Sequence, residues 1–298
     1  MTRPEFGLAV ELGDGIRRIV APNPGPMTHW GTNTWLFGET DVAVIDPGPD
    51  DPRHLAAIQA ATKGQRVTHI LITHAHADHS LGAKTLSQLT GAPIVAFGKA
   101  TAGRSDIMRS LAESGVELEG GEGLDSSFRP DECVGDGDQI IGQDWTLDVL
   151  HTPGHFAGHL AFRFDDVLFS GDHVMDWSTS IVSPPDGDVR AFLDTCERLS
   201  KLDLSRCFTG HGGEISAPTS RLDWLISHRR KREAAILDGL RQGSSDIDEL
   251  TRDIYRDVPV ALHRAASRNV LAHLIDLTER NIVCAEPRLE LGARFMLT

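Results

Sequence analysis

Cysteine is scarce and scattered: Cys133, Cys196, Cys207 and Cys284 lie far apart. Such spacing argues against a disulfide framework or a cysteine-type zinc site and fits a reducing compartment. Each cysteine reads as a small buried hydrophobe. Long apolar runs are missing too, and none approaches the roughly 18 residues a membrane span needs. Met1-Thr2-Arg3-Pro4-Glu5 has no apolar signal core. A cytoplasmic protein with no membrane partner is therefore expected. Positive charge is also in deficit, with 29 Lys/Arg against 43 Asp/Glu and a net charge of −14. That balance opposes nonspecific binding of a polyanion across the whole surface. The glycines between 115 and 137 form no phosphate cradle, because no strand leads there into a Gly-rich turn, a helix and a Lys-Ser/Thr pair.

What the chain does have is enough apolar material for a sizeable core, 40% of 298 residues, in one large domain or a medium domain plus a small one. Charge is unevenly spread: the first 227 residues sum to −15 and the remainder to +1. That asymmetry predicts two domains.

Histidine is concentrated in one stretch, Thr73-His74-Ala75-His76-Ala77-Asp78-His79-Ser80, directly after the apolar run His69-Ile70-Leu71-Ile72. The run predicts a buried strand with the cluster at its carboxyl end, where open α/β sheets carry their chemistry. Neutral imidazole and carboxylate together suit zinc and related first-row metals. In an extended segment His74 and His76 leave on the same face. Asp78 and His79 are predicted to face apart if a helix starts there, so the spacing suggests two adjacent metal sites.

Along the chain, strands are predicted at 16–20, 32–38, 42–46, 69–72 and 94–97, with a helix after Asp50 or Asp51 to about Lys63 and another from Ser80 to Leu89. Residues 98–137 read as irregular, with a short helix near Met108–Ala112. Strands resume at 139–141, 145–150, 160–164, 167–170 and 207–209. Helices are predicted from Asp188 to Lys201 and from Thr219 through Leu240. Each polar cluster follows an apolar strand, which makes a layered α/β domain with one loop-built site.

Four separated pieces supply candidate ligands: His74/His76/Asp78/His79, His155, Asp172 and His211. Their order and their Gly/Pro flanks resemble the metallo-β-lactamase-fold hydrolases. The resemblance implies an αββα sandwich with the site along one edge of two sheets. It implies two Zn2+, with Mn2+ or Fe2+ as other choices. His74, His76 and His155 would hold one metal, Asp78, His79 and His211 the other, and Asp172 would bridge them. The implied chemistry is a metal-bridging hydroxide attacking an ester-type bond, with Asp78 also holding or shuttling a proton. Asp46, ending a neighbouring strand, reads either as the acceptor of a ligand histidine's hydrogen bond or as a turn cap. His159, four residues past His155, reads either as a catalytic acid or oxyanion donor on the substrate side or as structural. His151 is expected to order the Thr152-Pro153-Gly154 turn and His173 to stand behind the ligands. His29, His54 and His69 read as structural or surface residues.

A tighter resemblance rests on Asn23-Pro24-Gly25-Pro26-Met27, Gly31-Thr32-Asn33-Thr34-Trp35, His228-Arg229-Arg230-Lys231-Arg232-Glu233, Ile254-Tyr255, Leu262-His263 and Asn269-Val270-Leu271-Ala272-His273-Leu274. These are similar to the β-lactamase-like protein 2 group, some of whose members are single-strand endoribonucleases with a C-terminal winged-helix-like domain. His173 departs from the cysteine of the animal members. The expected division is a catalytic domain over 1–220 and a winged-helix-like domain over 221–298. On its own residues the tail agrees: Ala266, Val270, Leu274 and Leu277 form a helical stripe, and 281–284 with 289–295 read as a two-stranded wing. Arg264 and Arg268 are predicted on that helix's exposed face, and Arg229–Arg232 as a solvated helix face. Docking of nucleic acid and simple bracing of the catalytic domain or a dimer are the two readings of this module.

The expected function is a dinuclear zinc-dependent hydrolase. Its partner is a small-molecule carboxyl ester, thioester or lactone, or single-stranded RNA, and a homo-oligomer is compatible. The acidic first domain favours the small substrate. A non-catalytic, metal-bound nucleic-acid-binding or assembly protein is the reading from a different class. A true β-lactamase is disfavoured by Asp172, since lactamases of this fold carry Cys or Ser at that position. The segment Trp177 to Pro185 follows Asp172 closely and is expected to form a substrate wall.

Overall fold

The computed structural model describes residues 4–113, 123–259 and 262–298. The first sheet runs in chain order through β1 (Val10–Glu11), β2 (Ile16–Val20), β3 (Asn33–Phe37), β4 (Asp41–Ile45), β5 (Arg66–Leu71), β6 (Ile94–Ala96) and β7 (Glu132–Cys133). Pairs from β1 to β4 are antiparallel, and pairs from β4 to β7 are parallel. Parallel neighbours need long crossovers. Helices α1 (Pro52–Ala61) and α2 (Ala77–Thr90) supply the first two. Asp51 caps α1 by accepting from the Arg53 N–H at 2.8 Å.

The second sheet has the order β13-β12-β11-β10-β9-β8. Its strands are β8 (Gln139–Ile141), β9 (Thr146–His151), β10 (Leu160–Phe164), β11 (Val167–Gly171), β12 (Arg206–Thr209) and β13 (Glu214–Ile215). Only β11 and β12 pair in parallel, and α4 (Val189–Leu199) makes the crossover between them.

The strands β3, β4, β6 and β11 are buried on both faces. In β3, Trp35 and Phe37 point into the layer between the sheets, while Leu36 points to the helix layer, as the two-residue period requires. Phe162, Phe169 and Phe208 from the second sheet fill the same middle layer. Burial of each such side chain stabilises the fold by roughly 1.5–3 kcal/mol relative to exposure. Leu55, Ile58, Ala83 and Leu86 of α1 and α2 cover one outer face. Phe192, Leu199, Leu222 and Leu225 cover the other. The result is the expected αββα sandwich.

The C-terminal part comprises α5 (Pro218–Leu240), α6 (Ile247–Ile254), α7 (His263–Glu279) and the antiparallel pair β14 (Val283–Glu286) and β15 (Arg294–Leu297). Asp246 and Glu249 close a reciprocal capping box at the start of α6, which satisfies two donors that a helix start leaves open. The stripe Ala266, Val270, Leu274, Leu277 is buried throughout. The expected division at 220/221 falls inside α5. Leu222 and Leu225 of this helix pack with the second sheet, whereas Ile236 and Leu240 pack with α6, α7 and Phe295.

Several expectations need correction. Both wing strands lie further along the chain than 281–284 and 289–295. The two-residue strands β1, β7 and β13 are too short to show a period. Helix α3 (Asp106–Glu113) brackets the short helix expected in 98–137, and its Met108 and Leu111 join the C-terminal core. The expected loop at 114–122 lies outside the described residues. Arg268 is not on an exposed face: it is 5% exposed, whereas Arg264 is exposed. Arg229, expected to be solvated, is 1% exposed. In both cases the helix packs its charged residues against the segment after Asp172, which periodicity within one helix cannot reveal.

Candidate metal centre

The site forms where strands end. After β5 the chain stays extended through His76 (φ −77°, ψ 144°) and then enters α2. This places Asp78 in the first helical turn, where a carboxylate is favoured. His155 follows β9 past Gly154, where a Cβ would stand 2.4 Å from the Phe192 Cα. Asp172 follows β11 and His211 follows β12. At Gly210 a Cβ would lie 2.1 Å from Asp172 Oδ1, so the close approach of that loop to the carboxylate requires glycine.

All seven candidate ligands converge. His74 Nε2 is 2.8 Å from His76 Nδ1, and His155 Nε2 is 3.2 Å from the same atom. His211 Nε2 is 3.3 Å from His79 Nε2 and 3.2 Å from Asp78 Oδ2. Asp172 reaches both groups: its oxygens are 3.3 Å from His211 Nε2, 3.5 Å from His79 Nε2 and 3.9 Å from His155 Nε2. The expectation that Asp78 and His79 face apart does not hold. Asp78 Oδ2 lies 3.4 Å from His79 Nε2, because both side chains turn toward Asp172 from the first turn of α2.

Outer hydrogen bonds set the tautomers. His79 Nδ1 donates to Asp46 Oδ2 at 2.8 Å. His155 Nδ1 donates to the Ile181 carbonyl at 2.6 Å, and His211 Nδ1 to that of Gly31 at 3.3 Å. The Thr73 hydroxyl donates to Asp46 Oδ2 at 2.7 Å, so at 3.0 Å it accepts from His74 Nδ1. All four imidazoles therefore present an Nε2 lone pair inward, the arrangement of metal-ligating histidines. Asp46 is the common acceptor, and it also takes the Thr73 N–H at 2.8 Å. Asp78 is steadied by the Thr32 hydroxyl at 3.1 Å, which Asn23 Nδ2 holds at 3.0 Å. Sequence reasoning did not single out Thr32 or Asn23 for this role, since nothing in their spacing points at Asp78.

The donor set fits divalent cations. Oδ1 of Asp78 and Oδ1 of Asp172 are buried with no hydrogen-bond partner among the described residues. Such orphaned carboxylate oxygens are costly unless a cation compensates them. His74, His76 and His155 form one potential ligand group, His74, His79 and Asp172 a second, and Asp78, His79 and His211 a third. Without a cation the electrostatics are divided. Burial, then the positive field of the neighbouring histidines, pushes His76 down to about 3 and His74 well below its ordinary value. Burial opposes protonation of His211 too, but the carboxylates of Asp172 and Asp78 overcome it and raise this imidazole to about 10. They raise His79 in the same direction. Ligation requires all of these rings neutral, so cation and proton compete at the Asp78/His79/His211 group.

His159 is not on the substrate side. It is fully buried, Nε2 accepts the Asp172 N–H at 3.2 Å, and Nδ1 is 2.8 Å from the Thr152 hydroxyl. With both ring nitrogens engaged it orients the Asp172 backbone. His173 is also fully buried, with Nε2 3.6 Å from Cys196 Sγ. His151 orders its turn through the Ala157 carbonyl at 2.9 Å.

Beside the ligands opens a cavity of about 280 Å³ that reaches His155 and Asp172. Met175, Trp177 and Ile181 line it, so the segment after Asp172 borders the cavity. The opposite wall comes from the C-terminal helices, through Leu262 and Ala266 among others. Leu262 and Ala266 carry no sequence mark of this role.

Residues 27–211 match the metallo-beta-lactamase superfamily, and residues 247–288 match the beta-lactamase associated winged helix domain. The chain belongs to the metallo-beta-lactamase superfamily and is an enzyme of its hydrolase class. It is 28% identical over 281 residues to the beta-lactamase-like protein 2 homolog of Caenorhabditis elegans, covering 92% of this chain and 87% of that one. It is 26% identical over 266 residues to an atrochrysone carboxyl ACP thioesterase of Claviceps purpurea, covering 85% and 76%. Its fold is that of a beta-lactamase domain protein from Burkholderia ambifaria, with a TM-score of 0.83, 19% identity and coverage of 100% and 95%. Among the described residues no helix is long and apolar enough to cross a membrane.

Proposed function

We propose that the protein is a dinuclear metal-dependent hydrolase of a small-molecule ester-type bond: a carboxyl ester, thioester or lactone. His74, His76 and His155 would hold one Zn2+, and Asp78, His79 and His211 the other, with Asp172 between them; Mn2+ and Fe2+ suit the same donors. When bound, such a pair supplies Lewis acidity and a water acidic enough to ionise near neutral pH. The observation that carries the reading is the position of Asp172, within 4 Å of ligand atoms from both groups, in the lining of a largely apolar cavity.

The chain's own groups do the rest. Asp78 Oδ1 has no hydrogen-bond partner among the described residues and would accept the proton lost by the attacking water. Thr32 and Asn23 keep Asp78 Oδ2 in place, leaving Oδ1 available. Met175, Trp177 and Ile181 exclude bulk water from the substrate's non-reacting part. The likeness to a protein named as a thioesterase supports the thioester.

Single-stranded RNA cleavage is the second reading. It is favoured by the winged-helix domain and the likeness to beta-lactamase-like protein 2, and opposed by the charge of −14. A panel of RNA, phosphodiester dye, thioester, lactone and β-lactam, run with metal-loaded protein, separates the two. Thioester or lactone turnover that vanishes in D172A and H76A together with bound metal is the expected result. Normal turnover by the metal-stripped protein refutes the metal hydrolase. RNA cleavage without ester turnover hands the case to the second reading.

A further inference from the structure

The same cavity is also lined by α5 and the segment after α6. His228, Arg232 and Tyr255 line it. Arg232 lies with its guanidinium carbon 4.4 Å from the Tyr255 ring centroid, and Nη1 donates to the Ile254 carbonyl at 3.2 Å. This stacking fixes the side chain while leaving most of its five N–H donors uncommitted. Among the described residues no carboxylate lies within 4 Å of it. One turn away on α5, Arg229 is fully buried behind the cavity wall. It donates to Asn269 Oδ1 at 2.7 Å and to the Ser180 carbonyl, and among the described residues its Nε has no partner and no carboxylate faces it. Asn269 itself lines the cavity.

A guanidinium lining the cavity and a second buried behind it, neither with a carboxylate partner among the described residues, are unusual in so acidic a protein. Burial and then the charges of Arg229, Arg232, Arg221 and Lys231 push the His228 imidazole down to about 4, so it is neutral at physiological pH. A buried or half-buried cation without a counter-ion costs stability that a ligand's anion recovers.

We propose that the substrate carries an anionic group, a carboxylate or a phosphate, at the end of its apolar body remote from the scissile bond, and that Arg232 binds it. The proposal rests on the hydrolase reading for the position of the scissile bond. It makes Arg232 a specificity-determining residue supplied by the C-terminal part. The winged-helix domain contributes through Tyr255, on whose ring Arg232 is stacked. The wall of Met175, Trp177, Leu262 and Ala266 takes the apolar body, and the cavity volume admits a compact acyl group. Planar, bidentate pairing of guanidinium with carboxylate or phosphate is the chemistry that recognises the far end.

The test needs no knowledge of the natural substrate. Metal-loaded protein is titrated calorimetrically with α,ω-dicarboxylates of five to eight carbons, with their ω-phosphono analogues, and with monocarboxylates of equal length. At one or more lengths a dianion should bind about tenfold or more tightly than its monocarboxylate, a gain typical of a charge-assisted bond. Comparing the two dianion series identifies carboxylate or phosphate as the better end group. In R232Q the gain should fall to within about twofold while monocarboxylate binding is unchanged, and R232K should restore part of it. No gain at any length in the wild-type protein overturns the proposal, and that comparison requires no variant. A gain that persists in R232Q also overturns it. N-acetylcysteamine thioesters of the same acids supply the activity arm, where R232Q should raise KM about tenfold for the anionic members with kcat within about twofold. Hydrolysis without preference for the anionic members rejects the anionic arm and leaves the hydrolase standing. Discriminating binding with no hydrolysis of any thioester, ester or lactone rejects the hydrolase and leaves the anionic arm standing.

Discussion

Asp46 ends β4 with φ +52°, a left-handed conformation that few non-glycine residues adopt. The strain is offset by what the carboxylate does there. It takes hydrogen bonds from His79 Nδ1, the Thr73 hydroxyl and the Thr73 N–H, and so fixes two ligand histidines directly or through one hydroxyl. Asn at this position keeps the shape but turns one acceptor oxygen into a donor. D46N is expected to weaken metal affinity by about 10–100-fold, the usual cost of losing such a support. Chelator competition read by metal content checks it, and unchanged affinity would show that Asp46 serves the turn alone. Of the two readings open for Asp46 in sequence, the structure supports the acceptor of a ligand histidine's hydrogen bond, since its carboxylate bonds Thr73 and His79 while the Gly48 N–H of the turn goes to the His79 carbonyl.

At the scale of elements, α5 joins the two parts of the molecule. Its first half packs on the second sheet and its second half on α6 and α7. Arg229 sits where the halves meet. Its guanidinium bonds α7 through Asn269 and the segment after Asp172 through Ser180. Asn269 Oδ1 also receives the Val182 N–H at 3.1 Å. R229A would leave the Ser180 carbonyl unpaired and open a cavity, at an expected cost of about 2–3 kcal/mol. Urea denaturation measures this. A loss under about 0.5 kcal/mol, typical of surface substitutions, would mean that the joint does not depend on Arg229. Because the Ser180 contact also positions the wall beside Trp177, KM for the substrate should rise in the same variant.

At the scale of the whole molecule, stability should depend on pH through buried neutral histidines distant from the metal ligands. His273 on α7 has both ring nitrogens buried with no partner among the described residues, and burial followed by the charge of Arg229 pushes it down to about 3. His54, with Nε2 2.8 Å from the Thr34 hydroxyl, is pushed down to about 4 by burial. Unfolded, both titrate near 6.5. Between the folded and unfolded values the unfolded chain binds more protons, so stability rises with pH. It is complete above about 6.5 and is lost as pH falls toward 4 and below. H273L should flatten this dependence by up to about 1.4 kcal/mol per pH unit below 6.5. Denaturation midpoints at pH 5 and 7.5 test the sign: H273L must gain more, relative to wild type, at pH 5.

The order of strands, the helix starts at Asp51 and Asp188 and the seven ligand-type residues were legible along the chain. Those signals are local: a two-residue period, a capping side chain, a cluster within six positions. Local spacing also misled where the outcome depends on a distant partner. Asp78 and His79 converge because both turn from the first turn of α2 toward Asp172, nearly a hundred residues on. His159 is drawn away from substrate by Thr152 and the Asp172 backbone, and Arg229 and Arg268 are buried by the segment after β11. The sequence by itself determined which groups can ligate a metal and on which strand ends they stand. Only the tertiary structure decided which atoms meet, which charges lose water, and that the C-terminal helices close the cavity, because burial and convergence are properties of packing between segments far apart in the chain.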